Sequence, residues 1–176
     1  MGHFFRHLHT INKHRRLVRR VCFKIGIPLQ GLTHDLSKYS REEFWGSVKF
    51  YTDGKCSPTE NERNEIGYSR VWMHHKGRNK HHIEYWFDID PKTRKYTALK
   101  MPTRYLKEMF ADRIAASKVY NGKNYHDGCP LEYLETHRGK DFMHDETYEE
   151  LKKWLTLLKE KGEKVAFKHI KSIKEY

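Results

Sequence analysis

Apolar residues recur every three or four positions along most of this chain, and glycine or proline residues interrupt the pattern at short intervals. This spacing gathers the apolar side chains on one face of a helix, so it predicts a series of amphipathic helices. The predicted helical stretches are 4–25, 30–36, 41–51, 60–75, 103–120, 131–137, 146–161 and 163–176. Ser40 followed by Glu43 is a capping box, which predicts the helix start at 41.

The segment 83–96 has no clear period, and its Asp88, Asp90 and Pro91 are typical of a turn. A small β-hairpin near 86–100 is therefore expected in an otherwise all-α fold. The length of 176 residues favours one domain. We expect a single helical bundle over 1–176, with its core in about 5–160 and a basic C-terminal helix at 163–176.

The charge balance points to anionic partners. Lys and Arg number 35 against 23 Asp and Glu, which gives a formal net charge of +12. Such an excess favours phosphorylated small molecules, nucleotides or nucleic acid. No apolar run reaches the roughly 20 residues that span a bilayer, so no membrane partner is expected. Three widely spaced cysteines, Cys22, Cys56 and Cys129, fit a reducing cytoplasm better than a disulfide framework.

Histidine is concentrated in a few places. The chain has 13 histidines, and four of them fall in the stretch HHKGRNKHH at 74–82. Two interpretations are open: a basic loop in solvent, or imidazoles that converge on a metal. His3, His7 and His14 are separated by four and seven residues, so one helix face can carry all three.

A wider pattern favours the metal. His14, the doublet His34-Asp35, the histidine stretch and Asp112 lie in four different predicted helices. Imidazole and carboxylate are ligands of divalent ions such as Mn, Mg, Fe, Co, Ni or Zn. A helical bundle can direct one or two ligands from each helix onto one ion. Asp112 sits among apolar and small residues, where a carboxylate needs either a metal or a salt bridge.

In this order of ligands the chain resembles the HD-domain superfamily of metal-dependent phosphohydrolases. The resemblance covers about residues 5–120 and rests on HDLSK (34–38), FADRIAAS (110–117) and VWMHHKGRN (71–79). The chain resembles the HD-GYP branch of this superfamily only in part, because the GYP tripeptide is absent and no histidine lies between residues 35 and 74. The chain also resembles an uncharacterised HD-like family that carries HDLSK and HHKxRNKHH.

The resemblance implies an HD-like helical bundle with one or two divalent ions. It implies His14, His34, Asp35 and Asp112 as ligands of the first ion. Which of the pairs His74-His75 and His81-His82 completes the site stays open. The implied catalytic residues are Asp35 and Lys38, and the candidate substrate-binding residues are Lys76, Arg78, Asn79 and Lys80.

The expected function is that of a metal-dependent phosphohydrolase or phosphodiesterase, in which metal-activated water attacks a nucleotide, a cyclic nucleotide or a related phosphoester. Two alternatives stay open. The basic runs at 15–20 and 164–174 would also suit a nucleic-acid-binding helical protein without catalysis. The second alternative is a helical interaction protein with a structural metal site, although closed structural zinc sites favour cysteine ligands.

Overall fold

The computed structural model describes residues 2–52, 56–136 and 139–176. Its α-helices are α1 (Gly2–Lys24), α2 (Pro28–Thr33), α3 (Arg41–Lys49), α4 (Pro58–Ile66), α5 (Arg70–Lys76), α6 (Thr103–Asn121), α7 (Cys129–Thr136) and α8 (Asp145–Ser172). Short 3-10 helices span Leu36–Tyr39, Ile83–Tyr85, Gly122–Asn124 and Gly139–Asp141. The strands β1 (Phe87–Ile89) and β2 (Tyr96–Ala98) form an antiparallel hairpin. The predicted all-α fold with one small hairpin is confirmed.

Helix α6 lies at the centre of the bundle. It packs against α1 on one side and against α7 and α8 on the other. Its apolar residues Leu106, Phe110 and Ile114 are fully buried, and Trp154 of α8 meets the Phe110 ring edge-on. Burying such side chains contributes roughly 1.5–3 kcal/mol each. Glu108 and Asp112 of α6 face α1 and the turn after α2, and that side holds the candidate site.

A close approach of backbones joins α2 to α1. A Cβ atom added at Gly31 would lie 2.7 Å from the Cβ of Cys22 and 3.2 Å from the Cα of Arg19. Only glycine therefore lets α2 lie this near α1. The closeness matters for function because the His34-Asp35 doublet follows α2 directly.

Several helix boundaries differ from the sequence prediction: the helix predicted at 30–36 is α2 at Pro28–Thr33, and the helix predicted at 41–51 ends at Lys49. The single helix predicted at 60–75 is wrong: Gly67 adopts a left-handed conformation with φ 84° and separates α4 from α5. A new capping residue, Ser69, accepts a hydrogen bond from the Trp72 amide and starts α5. The helix predicted at 131–137 spans Cys129–Thr136, and its last predicted residue lies outside the described residues.

The C-terminal helices join into one element with a kink. Gly162, at φ 74° and ψ 173°, interrupts the helical geometry inside α8, where the sequence placed the boundary between two helices. The helix ends at Ser172, four residues before the predicted end. No helix among the described residues is long and apolar enough to cross a membrane.

Candidate metal centre and its cavity

The turn after α2 presents the His34-Asp35 doublet to the interior. Asp35 has a left-handed backbone with φ 53°, a conformation that Asp tolerates better than most residues. The guanidinium of Arg15 holds the turn, since its Nε donates to the His34 carbonyl at 2.7 Å and Nη2 donates to the Leu32 carbonyl at 3.0 Å. Both side chains of the doublet are almost fully buried. Arg15 thus has a structural task that its place in a basic run did not reveal.

One group of ligand atoms forms where α1, the doublet and α6 meet. It contains Nε2 of His14, Nε2 of His34, Oδ2 of Asp35 and Oδ1 of Asp112, all within 4.8 Å of one another. His14 Nε2 lies 3.0 Å from Asp112 Oδ1, and His34 Nε2 lies 3.3 Å from Asp35 Oδ2. The structure therefore brings together the four residues that the sequence analysis assigned to the first ion.

A second group uses the other oxygen of the same carboxylate. Oδ1 of Asp35 lies 3.3 Å from Nε2 of His75 and 3.4 Å from Nε2 of His81. Nε2 of His82 lies 2.9 Å from that of His75, and all four atoms are within 4.8 Å of one another. Both pairs of the histidine stretch contribute here, one member from His74-His75 and both members of His81-His82. Asp35 joins the two groups.

The second group contains buried polar atoms that lack partners. Among the described residues, Asp35 Oδ1 and His81 Nε2 have no hydrogen-bond partner. Leaving such an atom unpaired costs about 1–3 kcal/mol. A divalent cation between them would satisfy both, so the donor set of the two groups fits ions that accept mixed imidazole and carboxylate ligands.

Glu108 of α6 orients two of these imidazoles. Its Oε1 accepts from Nδ1 of His34 at 2.9 Å and from Nδ1 of His81 at 3.1 Å. The proton on Nδ1 leaves each Nε2 free to act as a ligand. The sequence analysis missed Glu108, although it stands four residues before Asp112 and so shares its helix face.

Glu43 of α3 plays a similar part for the other pair. Its two oxygens accept from Nδ1 of His75 at 2.8 Å and from Nδ1 of His74 at 2.7 Å. His74 stands apart from both ligand groups, with its other ring nitrogen 4.0 Å from Glu42. Adjacent helical residues point about 100° apart, which explains why only one of the two histidines reaches the centre. The sequence analysis identified Glu43 solely as a capping residue.

The buried charges affect one another strongly. Burial disfavours ionisation of Asp35, but His34 and Lys38 outweigh it and hold the pKa of Asp35 well below its usual range. Burial likewise opposes ionisation of Asp112, yet hydrogen bonds from His14 and His34 keep its pKa well below normal. Burial also disfavours a charged His34, and the charge of Asp35 together with Asp112 raises its pKa well above the usual value. The carboxylates of Asp35 and Asp112 therefore stay ionised at neutral pH.

Lys38 stands at the predicted place beside this centre. Its Nζ lies 3.2 Å from Oδ2 of Asp35. Burial disfavours its charge, but the carboxylates of Asp35 and Asp112 outweigh burial and raise the pKa of Lys38. The side chain therefore carries a positive charge at neutral pH, in the cavity wall beside Asp35.

The other predicted substrate-binding residues are not brought to the cavity wall. Arg78 is exposed, and its guanidinium donates to the His74 carbonyl. Exposed Lys80 lies over the rings of Tyr85 and Tyr105, at 5.4 and 5.8 Å. Lys76 is half-buried and is absent from the described wall.

Asn79 has a different role from the predicted one. It is buried, and its amide donates to Ser37 Oγ at 2.8 Å and to the His75 carbonyl at 2.8 Å. These bonds tie the segment after α5 to the 3-10 helix that follows the doublet. Asn79 therefore positions the histidine stretch, and it is not among the described residues that line the cavity.

A cavity of about 180 Å³ opens onto the ligand groups. A single water needs only about 10–15 Å³ measured in this way, so the cavity can hold a small molecule. Residues of α1, α3, α4, α5 and α6 form its wall. Five of the candidate ligands lie in this wall: His14, Asp35, His75, His82 and Asp112. The centre is therefore accessible from the cavity.

Comparison with known proteins gives a family. A family model described as a family of unknown function, DUF5662, matches residues 3–157. The chain belongs to DUF5662. The matched region contains every candidate ligand, from His14 to Asp112. Neither the curated proteins nor the solved structures contain a match to the chain.

Proposed function

We propose that this DUF5662 member is a metal-dependent phosphohydrolase that acts on a nucleotide, a cyclic nucleotide or a related small phosphoester. The carrying observation is the shared carboxylate: Asp35 belongs to both ligand groups, and its Oδ1 lies buried without a hydrogen-bond partner among the described residues. All three cysteines are free, which supports a reducing compartment such as the cytoplasm.

Access to the centre supports catalysis over a structural metal. Structural zinc sites are closed by four ligands and often use cysteine. Here the ligands are imidazoles and carboxylates, and five of them line a cavity of ligand size. Cys22 and Cys129 are not part of either ligand group around Asp35, and Cys56 lies in the cavity wall without joining them.

The chain's own residues would each do part of the work. A divalent cation held there would supply a water nucleophile at neutral pH and polarise a phosphoryl oxygen. Glu108 and Glu43 keep the histidine Nε2 atoms directed at the centre. Lys38 offers its positive charge to the phosphoryl oxygens as negative charge develops on them. The cavity orients the rest of the substrate.

The test combines metal content with turnover. Purified wild-type protein should contain a divalent metal by elemental analysis and should hydrolyse members of a nucleotide and phosphoester panel when Mn, Mg, Fe, Co, Ni or Zn is added. Asp35→Ala should lose both the metal and the turnover, because both ligand groups lose a member. The exposed Asp88→Asn is the matched control and should keep both. Full turnover by Asp35→Ala would refute the assignment.

Nucleic-acid binding is the second candidate, and a basic surface favours it. Arg16, Arg19 and Arg20 are exposed on α1, and Lys164 and Lys168 are exposed on α8. The two helices are adjacent there, since the Lys24 ammonium lies over the Phe167 ring at 5.5 Å. Binding through such residues should weaken steeply with salt. Salt-sensitive binding that persists in Asp35→Ala, without phosphohydrolysis in wild type, would favour this second function.

A further inference from the structure

The cavity extends well beyond the candidate metal ligands. His14 marks the metal end, and His7 lies in the same wall two helical turns earlier in α1. Two turns correspond to about 10 Å along the helix axis. Tyr51 and Ser47 complete the far end. A ligand whose phosphoryl group contacts the centre therefore has room for a second moiety that reaches His7.

His7 is a buried hydrogen-bonding group without a partner. It is 6% exposed, and neither of its ring nitrogens has a hydrogen-bond partner among the described residues. Its ring packs against the rings of Phe44 and Tyr51, with centroids 5.5 and 5.1 Å away. Burial, and to a smaller extent the charge of Lys38, lowers the pKa of His7 to about 4. The neutral ring of His7 therefore carries one donor and one acceptor that no described residue satisfies, and His7 lies in the cavity wall.

The charge of the wall limits what the second moiety can be. Lys38 is the single Lys or Arg among the described residues that line the cavity. Trp72, Tyr120 and Val119 are among the uncharged members of this wall. Such a wall favours an uncharged ring system and offers no cation for further phosphate groups. The many other cations of the chain lie outside this described wall.

We propose that the cavity binds a nucleoside that carries a single phosphoryl group, with the phosphoryl group at Lys38 and the base hydrogen-bonded to His7. This inference rests on the proposed function and names its substrate class. In the reaction, a water oxygen bonds to phosphorus, one ester P–O bond breaks, and the ribose oxygen leaves with the proton that the water gives up. The same chemistry suits a 5′-monophosphate and a 3′,5′-cyclic monophosphate.

Binding and kinetics with metal-loaded protein test the inference. The probes are AMP, GMP, cyclic AMP, ATP, ribose 5-phosphate and inorganic phosphate. We expect AMP or GMP, or else cyclic AMP, to bind about tenfold more tightly than ribose 5-phosphate, which lacks the base. We expect ATP to bind more weakly than the single-phosphate nucleotides. The comparison of AMP and GMP with cyclic AMP distinguishes the monoester from the cyclic diester.

His7→Phe is the decisive variant, because phenylalanine keeps the ring packing and removes both nitrogens. It should raise KM for the preferred nucleotide about tenfold while kcat, metal content and affinity for inorganic phosphate stay unchanged. His7→Gln, which restores a donor and an acceptor, should recover part of the loss. His9→Phe, on the exposed side of the same helix, is the matched control and should behave as wild type.

The outcomes separate this inference from the proposed function. Hydrolysis that is insensitive to His7→Phe, or that is as good with ATP or ribose 5-phosphate, overturns the inference and leaves the phosphohydrolase standing. Nucleotide binding that depends on His7 without hydrolysis under any metal supports the inference and overturns the phosphohydrolase. Neither binding nor hydrolysis overturns both.

Discussion

At the scale of single residues, the centre depends on which nitrogen or oxygen of each side chain points inward. Asp35 directs one oxygen to each ligand group, so a single carboxylate couples them. His34 and His81 present Nε2 because their Nδ1 atoms are bonded to Glu108. Carboxylates that hold ligand histidines in this way raise ligand basicity and fix the ring orientation.

Glu108→Gln should therefore weaken metal binding without removing a ligand. An amide accepts less strongly than a carboxylate and cannot balance two imidazoles, so we expect a loss in metal affinity of about 10- to 100-fold. Competition with a fluorescent chelator measures the affinity. Glu149→Gln on the exposed face of α8 is the control and should bind as wild type does. Unchanged affinity in Glu108→Gln would contradict the positioning role of this carboxylate.

At the scale of elements, the position of α2 on α1 sets where the His34-Asp35 turn lies. Gly31 permits the close approach, and Arg15 bonds the carbonyls at the end of α2. The segment after α5 is tied to the same turn through Asn79 and Ser37. The helices thus place the ligands by backbone contacts that lie outside the ligand groups themselves.

Gly31→Ala and Gly162→Ala should separate stability from site geometry. At Gly31 the new methyl meets the backbone of Arg19, and α2 must shift at a cost of about 1–3 kcal/mol. At Gly162 the methyl makes only an ordinary contact with Asp127 Oδ2 at 3.7 Å, but alanine is strained at φ 74° and ψ 173° by about 1–3 kcal/mol. Both variants should lower Tm by about 2–12 °C. Calorimetry with metal titration should find weaker metal binding for Gly31→Ala alone.

At the scale of the whole molecule, the centre joins segments that are distant in the chain. Ligands come from α1, the turn after α2, α5, the segment that follows it and α6. The helices α1, α6, α7 and α8 contribute to one hydrophobic core, and their packing fixes the positions of the helices that carry the ligands. A bound ion would cross-link these segments in the folded state and leave the unfolded chain unlinked.

Metal removal should therefore lower the stability of the entire fold. A ligand present at about 100 times its Kd stabilises the native state by about 2.7 kcal/mol. For a chain of this size that corresponds to a Tm shift of roughly 5–11 °C. Differential scanning calorimetry of chelator-treated and metal-reloaded protein measures it. Asp35→Ala should unfold at the same temperature in both conditions, and a metal-dependent shift in this variant would contradict the assignment.

The sequence by itself determined the helices and the kinds of ligand. The apolar spacing of a helix is a local feature, so most helices could be predicted. The single helix predicted at 60–75 was wrong because Gly67 takes a left-handed conformation that ends α4. The resemblance to the HD-domain superfamily implied His14, His34, Asp35 and Asp112 as one set, and the structure brings their side chains together. His74 could not be separated from His75, since the two differ in direction and not in chemistry.

Only the tertiary structure decided which residues bond to the candidate ligands and orient them, and which residues line the cavity. In the sequence, Glu43 and Glu108 look like ordinary helical glutamates. Glu43 bonds to His74, which is 31 residues away in the chain, and Glu108 bonds to His34, which is 74 residues away. Arg78 and Lys80 have the positive charge that a phosphate needs, but both are exposed, whereas their neighbours Asn79 and His81 are buried. Charge and side-chain chemistry are written in the sequence, whereas direction and distance depend on how the helices pack.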